Sequence, residues 1–186
     1  MGLNDLLIEK KASILQKWFD AIIESYPADA SNFLKEQKNQ FTNPVGTTIS
    51  KGIENILDEL LSGLKSENIS KFLDEIVRIR AVQDFTPASA LSFIFLLKKV
   101  IREDMEKDIQ EKQLYGELLA FESKIDDLAC AAFDIYMKCR EKIYEIKANE
   151  VKSMTFRLLQ RANLICEIPD QETDLKANNN SNIKER

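Results

Sequence analysis

Apolar residues return every three or four positions through most of this chain, and the register holds longest from Glu117 to Ile168, where no proline or glycine interrupts it. The stripe starts at Leu114 and steps by four and three through Leu118, Phe121, Ile125, Leu128, Ala132, Ile135 and Cys139, a heptad pattern that predicts one very long helix. About fifty residues of helix span roughly 75 Å, whereas a compact domain of this size is about 40 Å across. Part of the helix is therefore expected to leave the globule, and a protruding apolar stripe needs a cover. Beyond Cys139 the rhythm slips. Ile143 and Ile146 prolong the stripe, and charged residues then flank a narrow seam of Val151, Met154, Leu158 and Ala162. Glu117 to Cys139 thus reads as a core half, and Arg140 to Asn163 as an exit half with the look of a solvated two-stranded stalk.

Five shorter helices precede it. Leu3 to Ser25 carries Leu6, Leu7, Ile14, Trp18 and Ile22 on one side and ends at Tyr26-Pro27. Ala28 to Lys38 is short and gives way to the turn signal Asn43-Pro44. Val45 to Leu64 places Ile49, Ile53, Ile56, Leu57 and Leu60 inward and closes near Gly63. Glu67 to Val82 follows with Ile69, Leu73, Ile76 and Val77. Thr86 then caps the fifth helix, Pro87 occupies its first turn, and the segment runs to Asp108, apolar on more than one side. No strand-like alternation persists. The expected fold class is all-α, a bundle of about six helices with a long protruding C-terminal helix; one domain covers 3–164, and a polar tail, 167–186, is too poor in apolar residues to fold alone.

Composition agrees with one core: 186 residues, 44% hydrophobic and 31% charged, are too few for two ordinary domains plus a linker. A net charge of -5, with lysines interleaved among carboxylates, argues against a nucleic-acid partner. The start, MGLNDLLIEKK, lacks the apolar core of a signal peptide, and Leu6 stands where a myristoylation site wants Ser or Thr. The strongest apolar run, Phe93 to Leu97, falls far short of the ~20 residues a membrane span needs. A cytoplasmic protein without membrane insertion is expected, with Cys130, Cys139 and Cys166 as free thiols.

The chain has no histidine, which removes Ser-His and Cys-His nucleophiles, the usual zinc hydrolase centre and Glu-x-x-His di-iron sites. Its five glycines are scattered singly, so no phosphate-cradling loop is formed. No enzyme, no metal and no cofactor is expected. Paired carboxylates remain for acid–base work, Glu122 with Asp126 and Asp127, or Glu141 with Glu145, but no convergent nucleophile accompanies them and a solvated helix face is the plainer reading. Near the exit of the long helix, Asp134, Tyr136, Lys138, Arg140, Glu141, Tyr144 and Glu145 form a polar cluster able to recognise a partner or a small anion. The plainer reading there is intrahelical pairs such as Asp134 with Lys138, and tyrosines packed with their hydroxyls at the rim. The candidate interface and signalling residues are Asp134, Tyr136, Arg140, Ile143, Tyr144, Glu145, Val151 and Met154. A second cluster, Arg78, Arg80, Gln83 and Asp84, sits at the turn before Thr86, where turn-locking by Arg80, Asp84 and Thr86 explains it more simply than ligand binding.

The run RIRAVQDFTPASALSFIFLLKKVIRED, Arg78 to Asp104, followed by ESKIDDLACAAFDIYMKCREKIYEIKANEVK, Glu122 to Lys152, resembles the amino-terminal domain of the RsbR and RsbRD co-antagonists of bacterial stress signalling. WFDAIIESYP, Trp18 to Pro27, and FTNPVG, Phe41 to Gly46, look alike too, so the likeness covers about Leu3 to Asn163. The resemblance implies that the bundle is globin-like, an all-α sensory domain that binds no haem, forms a homodimer and passes a signal down its last helix. A chain without histidine fits, because a globin haem needs a proximal imidazole. In such relatives the last helix leads into a phosphorylatable output domain, which the twenty or so residues after this helix are too few to form. The expectation is a non-enzymatic regulatory dimer with an unknown protein partner. Alternatives are a small-ligand sensor without haem, or an accessory protein of a respiratory redox complex.

Overall fold

The computed structural model describes residues 2–36, 41–63, 66–83, 85–162 and 164. Its elements are α1 (Leu3–Glu9), α2 (Lys11–Ile23), α3 (Ala28–Glu36), α4 (Pro44–Ser62), α5 (Ser66–Val82), α6 (Pro87–Glu111) and α7 (Tyr115–Arg161). No strand occurs among the described residues, so the fold is all-α. The chain forms two compact units, Met1–Glu145 and Ile146–Arg186.

In the first unit α2 packs on α6 and α4, and α4 packs on α5. Trp18 of α2 is fully buried, and its indole N–H donates to the Phe93 carbonyl at 2.6 Å, so the largest side chain of the core also satisfies its one polar atom. Gly52 lets α4 and α5 approach closely: a Cβ there would stand 2.7 Å from Ile76 Cδ1. Asn43 is both cap and tie. Its Oδ1 accepts from the Gly46 amide at 2.8 Å, and its Nδ2 donates to the Leu34 carbonyl at 2.9 Å, which joins the start of α4 to α3.

The single first helix expected from the sequence is two, parted at Lys10, whose backbone sits at φ -94°, ψ 8°. The break turns Leu3, Leu6 and Leu7 onto the core separately from Ile14 and Trp18. Lys10 Nζ holds the bend against α6, donating to the Asp104 carbonyl at 3.0 Å and to Asp108 Oδ2 at 2.7 Å. Lys17 pairs with Asp104 beside it. Glu117, in the first turn of α7, accepts from the Leu3 amide at 2.7 Å, a carboxylate at the amino end of α1 where the helix dipole favours it.

Between α6 and α7 the chain turns at Gln113, in the left-handed region at φ 54°. The Leu114 amide bonds the Ile109 carbonyl at 3.0 Å, a closure that answers the free carbonyls at the end of α6. α7 then buries Leu118, Phe121, Glu122, Ile125, Leu128, Ala129, Ala132 and Tyr136. Leu118 and Tyr136 lie five turns apart at about 3.6 residues per turn, so the buried face follows an ordinary straight helix rather than the heptad. The heptad reading placed Ile135 and Cys139 inward; both are half-buried, and Tyr136 takes the inner position.

The second unit contains helical residues 146–161, all exposed. Ala162 N–H to the Leu158 carbonyl and Leu164 N–H to the Leu159 carbonyl, both at 3.0 Å, close the helix. It ends at Arg161, short of Ile168, and the tail 167–186 lies outside the described residues. No described helix is long and apolar enough to cross a membrane.

Candidate functional site

Val82 ends α5 and Pro87 begins α6, and the short turn between them gathers side chains from four parts of the chain. Thr86 is extended (φ -62°, ψ 156°), and its Oγ1 accepts from the Ser89 amide at 3.2 Å, fixing the entry of α6. Phe85 packs edge-on against Tyr26, with ring centroids 5.1 Å apart and planes at 73°. Asp84 lies outside the described residues.

Arg80, in the last turn of α5, is fully buried at 0% exposure beneath this turn. Its Nη2 donates to Ser25 Oγ at 3.0 Å and to the Ser89 carbonyl at 2.9 Å. The guanidinium carbon lies 4.3 Å from the Phe85 centroid, 5.1 Å from Tyr26 and 6.0 Å from Phe93. No carboxylate pairs with it among the described residues, and these aromatic faces lie close enough to interact favourably with the buried charge. Among the described residues Nε and Nη1 have no hydrogen-bond partner, nor has the Tyr26 hydroxyl. Burial lowers the Arg80 pKa, partly opposed by Tyr26; burial raises that of Tyr26, partly opposed by Arg80.

Two α7 side chains grip the same turn. The Tyr136 hydroxyl donates to the Phe85 carbonyl at 2.8 Å, and Arg140 Nη1 donates to the Ala81 carbonyl at 3.2 Å. Ala81 belongs to the last turn of α5, whose carbonyls have no intrahelical donor, so a cation suits it on both hydrogen-bonding and dipole grounds. Arg140 also reaches forward: its Nη2 donates to the Tyr144 hydroxyl at 2.9 Å, with the guanidinium 5.0 Å from that ring. Ser89 joins Arg80 to Thr86, and Phe85 joins both to Tyr136.

Other candidates stand apart from this cluster. Asp134 is exposed, Ile143 is half-buried, and Glu145 accepts from Lys142 at 2.8 Å at the surface. Val151 and Met154, in the second unit, are exposed. The carboxylate pairs are committed elsewhere or solvated. Glu122 is buried with its two oxygens held by Arg102 Nε and Nη2 at 2.6 Å each, Asp126 is held by Lys98 at 2.6 Å, and Glu141 is exposed. Glu122 thus departs from the solvated face expected of it, because the straight helix turns its position toward α6. No group of three His, Cys, Asp or Glu able to hold a metal occurs among the described residues. Cys130 is exposed; Cys139 is half-buried and its thiol pKa is raised by burial.

Sequence reading did not single out Ser25, Tyr26, Phe85 or Ser89 as members of this site. Tyr26-Pro27 and Phe85-Thr86-Pro87 carried the signal: an aromatic at each of two helix breaks faces inward when the breaks meet.

Comparison with known proteins fits this architecture to a family. An uncharacterised protein of Archaeoglobus fulgidus is 25% identical over 147 residues, spanning 75% of this chain and 83% of that one. No solved structure matches. The profile of the RsbT co-antagonist protein RsbRD N-terminal domain matches residues 12–151, from the start of α2 through the gripping residues Tyr136 and Arg140 into the second unit. The chain therefore belongs to the RsbRD N-terminal domain family.

Proposed function

We propose that this protein is a non-enzymatic regulatory dimer that couples the state of its helical core to the last turns of α7. The observation that carries this reading is the double grip of Tyr136 and Arg140 on the α5–α6 turn. Two adjacent turns of α7 bind backbone carbonyls that move with α5 and α6, so a change in how those helices meet alters the seat of α7. Apolar residues exposed in the second unit, Val151, Met154 and Leu158 among them, need a cover, and a second copy supplies it. Membership of the RsbRD N-terminal domain family supports a sensory or regulatory role.

The experiment is light scattering at high micromolar concentration, followed by hydrogen exchange across residues 146–161. A dimer is expected, weakened by Val151→Asp, with exchange in that segment faster in Tyr136→Phe. A strictly monomeric protein, or exchange indifferent to Tyr136, refutes the reading.

A second reading, a small-ligand sensor without haem, is favoured by one observation: Arg80 Nε and Nη1 and the Tyr26 hydroxyl, within one buried cluster, have no partner among the described residues. Native mass spectrometry detects a retained small molecule if it holds.

A further inference from the structure

Arg80 is a buried cation with no counter-charge among the described residues. Its side chain is 0% exposed, and an arginine does not escape burial by losing a proton as a lysine can. Carboxylates on neighbouring turns serve other cations: Glu24, beside Ser25, pairs with Lys35 at 3.4 Å, and Asp74 of α5 pairs with Arg78 at 2.9 Å. A guanidinium has five N–H donors, and two of these, both on Nη2, are used by Ser25 Oγ and the Ser89 carbonyl. The donors on Nε and Nη1 have no partner among the described residues, and neither has the Tyr26 hydroxyl in the same cluster. Ser25 offers them nothing further, since its own hydroxyl donates to the Ile22 carbonyl at 2.6 Å. Every open group can donate, so the chemistry that completes the cluster is an acceptor bearing negative charge.

We propose that Arg80 and Tyr26 bind one small monovalent anion, chloride, beneath the α5–α6 turn. This rests on the small-ligand reading above and names its ligand class. Bond geometry selects that class. A guanidinium presents two edges with paired donors, Nε with Nη2 and Nη1 with Nη2, and such pairs are what grip a carboxylate or a phosphate. Both edges include Nη2, whose two hydrogens are spent on Ser25 and Ser89, so a two-oxygen grip is closed. A spherical ion needs only single donors. Charge agrees, because one guanidinium balances one negative charge and a dianion would bury an excess. Water satisfies the donors but leaves the cation uncompensated. Occupancy bears on α7 through its two acceptors. Phe85, whose ring lies 4.3 Å from the guanidinium, supplies the carbonyl that Tyr136 binds, and Ala81, next to Arg80, supplies the carbonyl that Arg140 binds. An ion that fixes Arg80 therefore steadies the turn on which α7 is seated.

The test uses the whole chain in sodium chloride against sodium gluconate at equal ionic strength, so that general screening is the same in both. With chloride about tenfold above its Kd, Tm is expected to rise by about 3–6 °C over gluconate. Arg80→Met keeps an apolar stem and removes the charge, and is expected to abolish the rise. Tyr26→Phe keeps the ring and removes the hydroxyl, and is expected to weaken chloride binding several-fold in a titration followed by chloride NMR line broadening; it carries the comparison if Arg80→Met does not fold. Equal Tm in the two salts, or a rise undiminished in both variants, overturns the chloride site. So does a chloride response gained by Asp84→Asn and lacking in wild type, because the counter-charge is then a carboxylate of the turn itself. If the site falls, an organic molecule retained in native mass spectrometry leaves the small-ligand reading standing, and a chain that retains none takes that reading down with it.

Discussion

The hydroxyl of Tyr136 and the carbonyl of Phe85 are joined across fifty-one residues of chain by a 2.8 Å hydrogen bond, at the point where α5 gives way to α6. Tyr136 is 2% exposed, so its hydroxyl has little bulk water to take the place of this acceptor. Tyr136→Phe keeps the ring and removes the donor. We expect a loss of about 1 kcal/mol in urea unfolding. No change in the denaturation midpoint would show the bond to be energetically idle.

Arg80 combines two hydrogen bonds from Nη2, nearby aromatic rings and complete burial. A lysine ammonium has donors enough for Ser25 and Ser89 but no planar face to lay against Phe85, and it is the more strongly hydrated cation to bury. Arg80→Lys is therefore expected to destabilise by roughly 1–3 kcal/mol. A variant as stable as wild type would mean the guanidinium geometry is immaterial.

Gly52 faces Ile76 across the α4–α5 contact, with 2.7 Å available for a Cβ. Gly52→Ala gains helix propensity but drives a methyl into Ile76 Cδ1, at an expected net cost of about 1–2 kcal/mol. Ile76→Val in the same chain removes Cδ1 and should return part of the loss, so a double-mutant cycle that is strictly additive argues against this contact.

Lys10 and Asp108 make stability depend on pH at both ends of the scale. The hydrogen bond with Lys10 holds the Asp108 carboxyl below the usual carboxylate range, and the same bond raises the Lys10 amine. A lowered carboxyl stabilises the fold above its ordinary range, and that contribution fades as pH falls through the lowered value. A raised amine stabilises it below the ordinary lysine range, and that contribution fades as pH rises through the raised value. The Tm difference between wild type and Asp108→Asn should thus be steady from about pH 5 to 9 and shrink in stronger acid. A difference that persists unchanged at pH 2 would refute the assignment.

Much of this fold is legible in local sequence. Asn43, Thr86 and Gly63 mark helix ends because their backbone geometry and side-chain hydrogen bonds act within four residues; Asn43 and Thr86 cap α4 and α6, and Gly63 ends α4 at φ 93°. Proline at the first turn of α4 and of α6 is likewise a local preference. The break at Lys10 was not legible, since nothing in Glu9-Lys10-Lys11 forbids a helix and the bend is held by Asp104 and Asp108 from α6. Glu122 was read as solvated because its burial depends on Arg102, twenty residues earlier.

By itself, then, the sequence determined the all-α class, the breakers, the apolar faces and the long last helix. Which polar groups meet was decided only by tertiary structure. Tyr136 finds Phe85, Arg140 finds Ala81, and Arg80 finds Ser25 fifty-five residues away. Periodicity encodes which face of a helix turns inward, whereas a buried hydroxyl or guanidinium takes whichever acceptor the packing of distant helices brings within about 3 Å.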